Sequence, residues 1–322
     1  MTDDERYMHR CLQLAVLGLG KVQPNPMVGA VIVHDGIIIG EGYHHQYGEA
    51  HAEVNAIAAV NKPALLKKAT IYVSLEPCSH YGKTPPCADA IIRHGIPKVV
   101  IGTVDCNEKV CGNGIRKLQE AGIEVVQNVC EAECRELNRR FFTYHQRQRP
   151  YIILKWAQTA DGYMDIDRSG STEIQDYWIT NPALKVIVHK WRSEEDAILV
   201  GYNTMVNDKP QLTTRLYPGK DPKRFVMQRG KEIVSDLPYT PLPENLEDAM
   251  LILYDQKIQS IIVEGGRKTL ERFIQAGFWD EARVLVGAQR WGKGTVAPTL
   301  PTLPDKIETI DDNKIIYVRR HL

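Results

Sequence analysis

The stretch Leu75–Cys87, "LEPCSHYGKTPPC", decides how the first half of this chain is read. It carries two cysteines, Cys78 and Cys87, with eight residues between them. Thiolate ligands of a metal usually come as a tighter C-x-x-C pair, so the spacing asks for a reason. The preceding "ATIYVSL" is strand-like, and "CADAIIRHG" is a helix that Gly95 stops. Cys78 therefore sits at a strand end and Cys87 at a helix start, where the positive end of the helix dipole favours a thiolate. The pair reads as two ligands with a loop inserted between them. That loop exposes His80 and Lys83 at the expected pocket rim.

Upstream, "HAEVNAI" opens another helix with His51 and Glu53. One histidine and two cysteines have the softness zinc prefers, and three protein ligands leave a fourth position for water, as catalytic zinc sites do. Two residues apart on a helix, Glu53 points away from His51 and is a poor ligand for the same ion. It is better placed to move a proton from water to a ring nitrogen and then to a leaving amine. H-x-E followed by P-C-x-x-C is the signature of zinc deaminases; this chain matches H-A-E and P-C and departs from it at the spacing of the second cysteine. Any one of these residues alone reads as well as a buried or solvated side chain; the set does not. Cys106, Cys111, Cys130 and Cys134 lack metal-knuckle context and are expected to be plain thiols.

Composition sets the limits. Of 322 residues, 43% are hydrophobic and 25% charged, ordinary for a globular protein, and the length suits two domains. Lys+Arg and Asp+Glu are both 40, so no net basic charge calls for nucleic acid. Seven cysteines are too few for a disulfide framework. The start "MTDDERYMHR" is no signal peptide, and no apolar run approaches the ~18 residues of a membrane span. A cytoplasmic protein is expected, with no membrane partner. Thr2 and Glu5 form a capping box ahead of a first helix. Strands and helices then alternate to a last charged helix, "EAECRELNRRFFTYHQRQ", which implies α/β layers. The polar "QRQRP" at residues 146–150 marks a boundary, giving domains 1–147 and 148–322, and a second α/β pattern follows.

With "PNPMVGAV", "GYHHQYGEAHAEV", the long-spaced P-C-x8-C and "DCNEKVCGNG" all present, the first half resembles the cytidine-deaminase-like zinc hydrolases. Within them it is similar to the deaminase half of the bifunctional riboflavin-biosynthesis deaminase/reductases. Cys106 and Glu108 stand where that family has prolines, while Asp105, Asn107, Gly112 and Gly114 match. The second half resembles the family's dihydrofolate-reductase-like reductase through "LKWAQTADG", "WIT", "DAILVGYNTMVNDKPQLTTR" and "VEGGRKTLERF". Asp176 replaces a serine and Lys209 an aspartate of the family pattern.

The resemblance implies a three-layer deaminase domain that binds Zn2+ and a reductase domain that uses NADPH. It implies deamination of 2,5-diamino-6-(5-phosphoribosylamino)pyrimidin-4(3H)-one, then reduction of the ribosyl group to ribityl, in a homo-oligomer. By resemblance Asn25 lines the pyrimidine pocket. Ala157, Trp178, Thr204, Asp208, Gly266, Arg267, Lys268, Thr269, Leu270, Glu271 and Arg272 would contact NADPH. Asp176, Arg192, Leu212, Arg215 and Glu264 would hold the phosphoribosyl substrate, with Lys155 near the reacting carbonyl. On physical grounds, a strand, two glycines and a helix start suit a phosphate, and guanidinium forks pair with phosphate oxygens. The alternative is a nucleoside or tRNA deaminase with an accessory domain, which predicts C-x-x-C and a basic face. A protein with purely structural zinc would need a fourth ligand and no Glu53.

Overall fold

A computed structural model describes the chain except residues 82–84, 107–110, 167–177, 229, 231, 234, 321 and 322. Lys83, Asn107, Glu108 and Asp176, each singled out in the sequence, lie outside the described residues. The chain divides into two compact units, Met1–Arg147 and Gln148–Leu322.

The first unit begins with α1 (Asp3–Ala15), which starts at the capping box: Thr2 Oγ1 accepts from the Glu5 N–H, and Glu5 Oε2 accepts from the Thr2 N–H. There follow β1 (Gly29–His34), β2 (Ile37–Tyr43), α2 (Ala52–Ala58), β3 (Thr70–Val73), α3 (Cys87–His94), β4 (Lys98–Ile101), α4 (Asn113–Glu120) and β5 (Glu124–Val126). The sheet runs β2-β1-β3-β4-β5, antiparallel as far as β3 and parallel from there to β5. Successive strand residues point to opposite faces. Ala30, Ile32, Ile71, Val73, Val99 and Ile101 pack on one side against α2, α3 and α4. Val31, Val33, Tyr72 and Val100 pack on the other against Tyr7, Met8, Cys11 and Leu14 of α1. Burial on both faces is why these strands read as unbroken apolar runs.

The single last helix expected from the sequence is two, α5 (Glu131–Leu137) and α6 (Arg139–Arg147). They break at Asn138, whose backbone leaves helical geometry (φ −101, ψ 24). Its buried amide brackets Met27: Oδ1 accepts from the Met27 N–H and Nδ2 donates to the Met27 carbonyl, both at 2.8 Å.

The second unit contains β6 (Tyr151–Gln158), β7 (Tyr163–Asp165), α7 (Pro182–Glu194), β8 (Ala197–Gly201), α8 (Tyr202–Asp208), β9 (Lys223–Met227), β10 (Thr240–Leu242), α9 (Leu246–Asp255), β11 (Ser260–Val263), α10 (Arg267–Ala276), β12 (Glu281–Val286), β13 (Thr295–Val296), β14 (Lys306–Ile310) and β15 (Asn313–Arg319). Its large sheet runs β10-β9-β8-β11-β6-β12-β15-β14, parallel as far as β12. The terminal hairpin of β14 and β15 carried no recognised signal in the sequence. Helices α9 and α10 cover one face and α7 the other. The carboxyl ends of β8, β11 and β6 therefore open at one edge, where α/β sheets bind ligands. Among the described residues no helix is long and apolar enough to cross a membrane.

At the opposite end of the sheet, Arg149 pairs bidentately with Asp280, at 2.6 and 2.8 Å. Asp280 Oδ2 also accepts from the Ile152 N–H. Both side chains are 9% exposed, so removing one charge leaves the other stranded. Asp280→Ala is expected to cost the second unit about 3–5 kcal/mol. All five tryptophans lie in this unit, so urea unfolding followed by tryptophan fluorescence measures it; a loss under about 1 kcal/mol would contradict the assignment.

Candidate functional site

In the first unit the sheet delivers three ligand-bearing side chains to one point. His51 is the N-cap of α2 and stays extended (φ −75, ψ 166). Cys78 lies just beyond β3, and Cys87 is the first residue of α3. The His51 Nδ1 atom is 3.5 Å from Cys78 Sγ and 3.3 Å from Cys87 Sγ. All three donor atoms lie within 4.8 Å of one another, the one such His/Cys/Asp/Glu group among the described residues.

The inserted loop leaves and returns to the same place. The Cys87 N–H donates to Cys78 Sγ (3.3 Å) and the Ala88 N–H to the Cys78 carbonyl (3.1 Å). The thiols titrate as a pair. A hydrogen bond from Cys87 holds Cys78 well below the ordinary thiol range, and Cys87, hydrogen-bonded to that sulfur and buried, is pushed up.

Glu53 lies in the first turn of α2 and is 3% exposed. Burial, reinforced by the Cys78 thiolate, raises its carboxyl to about 7.

Asn25 stands on the loop before β1, and its Nδ2 lies 3.1 Å from His44 Nε2. The other nitrogen of His44 faces the Ala50 carbonyl at 3.1 Å and so must carry the proton. Nε2 is then the acceptor, which turns the Asn25 Nδ2 inward and leaves its Oδ1 for another partner. The His44 ring meets His51 edge-on, with centroids 5.2 Å apart. The sequence reading passed over His44; its signal was the tandem histidine of "GYHHQYGE". His80 is exposed.

In the second unit a cavity of about 780 Å3 opens at the carboxyl ends of the strands. Its wall includes Lys155, Ala157, Thr204, Asp208, Glu264, Arg267, Lys268, Thr269 and Arg272. Gly265 and Gly266 join β11 to α10 there. A Cβ on Gly265 would lie 2.6 Å from the Thr269 Cβ, so the neck admits only glycine. Gly266 caps α10 without a side chain, which leaves the first helical N–H groups uncapped at the cavity.

Other residues that the sequence points to lie elsewhere. Trp178 is 54% exposed, with the Lys185 ammonium 3.9 Å over its ring, and is not in the cavity wall. Leu270 is fully buried in the core, because it faces the sheet from α10. Glu271 pairs along the helix with Arg267 at 2.7 Å. Leu212 is buried with positive φ (53°) under α8, and Arg215 Nη1 donates to Thr213 Oγ1. Asn203, Asn207 and Glu244 line the cavity without having been singled out.

Arg192 does not offer its fork outward. Nε and Nη2 donate to the two oxygens of Glu264 at 3.0 and 2.8 Å, and Nη1 donates to the Thr213 carbonyl. Lys155 Nζ reaches the same carboxylate at 3.3 Å. Burial opposes ionisation of Glu264, but Arg192 and Lys155 outweigh it and hold the carboxyl at about 2.

Residues 1–103 match the family model for the cytidine and deoxycytidylate deaminase zinc-binding region, and residues 150–311 match that for the RibD C-terminal domain. The chain is 38% identical to riboflavin biosynthesis protein RibD of Aquifex aeolicus, over 99% of each. It is 37% identical to RibD of Escherichia coli K12, over 94% of this chain and 91% of that one. Among solved structures it is similar to the diaminohydroxyphosphoribosylaminopyrimidine deaminase/5-amino-6-(5-phosphoribosylamino)uracil reductase of Thermotoga maritima, at 36% identity and TM-score 0.84 over 98% of both chains. Acinetobacter baumannii RibD gives 30% identity and a TM-score of 0.85, again over 98% of both.

The Glu264 anion makes a prediction whose sign follows from its position below the ordinary value of 4.5. Its stabilisation is complete above the unfolded pKa and fades as pH falls from about 4.3 toward the folded value. Urea unfolding by tryptophan fluorescence should therefore show the wild type losing stability between pH 6 and pH 3 (roughly the range that spans the fading) more steeply than Glu264→Gln. Parallel curves would remove Glu264 as the source.

Proposed function

Because the chain belongs to the RibD family of bifunctional riboflavin-biosynthesis proteins, deaminase and reductase in one polypeptide, we propose how its own residues divide the work. The observation that carries the reading is the meeting of His51, Cys78 and Cys87 beside the buried Glu53.

The donor set fits zinc. Ligand bonds of about 2.3 Å to sulfur and 2.0–2.1 Å to nitrogen at tetrahedral angles put nitrogen and sulfur about 3.5 Å apart. The distances here are 3.3 and 3.5 Å. His51, Cys78 and Cys87 would hold the ion. When bound, zinc supplies Lewis-acid polarisation and makes water acidic near neutral pH.

Glu53 takes one proton from water as the water oxygen bonds to the ring carbon, delivers that proton to the pyrimidine ring nitrogen, and then carries the oxygen's remaining proton to the departing amine. The carbon–nitrogen bond breaks, a carbonyl takes its place, and ammonia leaves. A carboxyl raised to about 7 serves both directions, since it can hold and release a proton near neutrality. The Oδ1 of Asn25, aimed by His44, accepts a hydrogen bond from the pyrimidine, whose exocyclic amines are donors.

For the second reaction, Ala157, Thr204, Asp208 and the Gly266–Thr269 turn would hold NADPH, with phosphate against the uncapped start of α10. NADPH supplies the hydride when bound. The Lys155 ammonium, buried beside Glu264, is set to stabilise the sugar oxygen as the ring opens to ribityl. Arg192 and Glu264 form a fixed wall, and Arg215 remains to meet the substrate phosphate. The substrate class is a phosphoribosylaminopyrimidine.

Ammonia release and NADPH consumption, followed separately on that pyrimidine, test the two halves. Glu53→Gln is expected to slow ammonia release at least about 100-fold while the chain keeps its zinc. Undiminished release would remove Glu53 from the proton path, and ammonia without any NADPH consumption would remove the second activity.

A further inference from the structure

Glu76 precedes Pro77 and Cys78, is 4% exposed, and has no cationic partner among the described ion pairs. Its carboxylate is instead saturated by backbone. Oε2 accepts from the N–H groups of Asp105 (3.2 Å) and Gly112 (3.0 Å), and Oε1 from those of Gly114 (2.9 Å) and Ile115 (3.3 Å). The Glu76 N–H in turn donates to the Thr103 carbonyl at 3.0 Å. One buried anion thus binds both arms of the connection between β4 and α4.

The topology gives that connection a place. Strands β3 and β4 are parallel neighbours, so the chain leaving β4 emerges beside the chain leaving β3, which carries Cys78. The fit is tight. A Cβ on Gly114 would stand 2.0 Å from the Pro77 carbonyl oxygen and 3.2 Å from Glu76 Oε1. The arms are therefore seated on the backbone next to a metal ligand, at the carboxyl edge of the sheet where substrates of α/β enzymes lie.

A carboxylate at the start of α4 would stabilise the helix in any protein. That alone does not call for a buried anion shared with Asp105 and Gly112, which lie ahead of the helix. Two further observations separate the roles. The hydrogen bonds run to both sides of the loop, and the anion is tied within two residues to a ligand of the candidate zinc site.

We infer that Glu76 is a positioning residue for substrate in the deaminase site. It fixes the Asp105–Cys106 and Gly112–Ile115 arms as one wall of the pyrimidine pocket and leaves the metal ligands to stand without it. The inference rests on the deaminase reading above. Glutamine keeps the shape of glutamate but offers one accepting oxygen and turns an NH2 group toward two N–H donors. Aspartate keeps the charge and shortens its reach by one methylene.

The test uses the full chain loaded with zinc. Ammonia release is measured against substrate concentration for wild type, Glu76→Asp and Glu76→Gln, with zinc per chain determined alongside. Glu76→Gln is expected to raise KM at least about tenfold with kcat within about threefold of wild type, because charge-assisted bonds to the wall are lost. Glu76→Asp should fall between the two, and both variants should keep their zinc. Unchanged KM in both variants overturns the inference. So does loss of zinc in step with activity, which would make Glu76 a support for Cys78. Absence of ammonia release in the wild type would instead overturn the deaminase reading itself.

Discussion

Two backbone N–H groups at the start of α3 close on Cys78: Cys87 donates to its sulfur and Ala88 to its carbonyl. This closure does for a long loop what adjacency does for a C-x-x-C knuckle. It brings the second thiol to the first at a point fixed by the sheet. It also supplies a donor to the anionic sulfur, which lowers the cost of holding charge in a buried place. His51 then needs only the start of α2 to complete the triangle. The number of residues in the loop matters little to that geometry, because the cost of closing a flexible loop grows slowly with its length.

The second unit solves a related problem differently. Glu264 is an acid at the edge of an apolar sheet, and it stays ionised because Arg192 and Lys155 both turn to it. A buried ion pair gains little net stability over apolar packing, but each member becomes costly to remove. The cluster therefore acts as a rigid corner of the cavity. Burial lowers the Lys155 ammonium below its ordinary value, and the Glu264 carboxylate opposes that shift.

Residues whose chemistry is singular could be read from the sequence alone. His51, Glu53, Cys78 and Cys87 are scarce residue types standing at element boundaries, and periodicity gives those boundaries. The strands were legible because both faces are buried. The pairing of Arg192 with Glu264 was not, because residues 72 apart carry no local sign of each other. Nothing local to Arg192 shows that its guanidinium is shared with Glu264 and the Thr213 carbonyl. Leu270 and Glu271 share the "EGGRKTLER" run with the cavity-lining Arg267, Lys268, Thr269 and Arg272, but the 3.6-residue period of α10 carries the two of them off the cavity wall. The break at Asn138 was invisible because its cause is the backbone of Met27, 111 residues away.

That bracket also bears on how the protein is made. The loop holding Asn25 runs into Met27, and Met27 is gripped through both its N–H and its carbonyl by Asn138. During synthesis, residues 1–94, which include α1 to α3 and all three metal-ligand candidates, leave the ribosome well before Asn138 does. In a chain made from its N-terminus onward, the segment that carries His51, Cys78 and Cys87 is therefore complete before the residue that clasps Met27 has been added, and the last helices of the first unit fasten a loop laid down near its start.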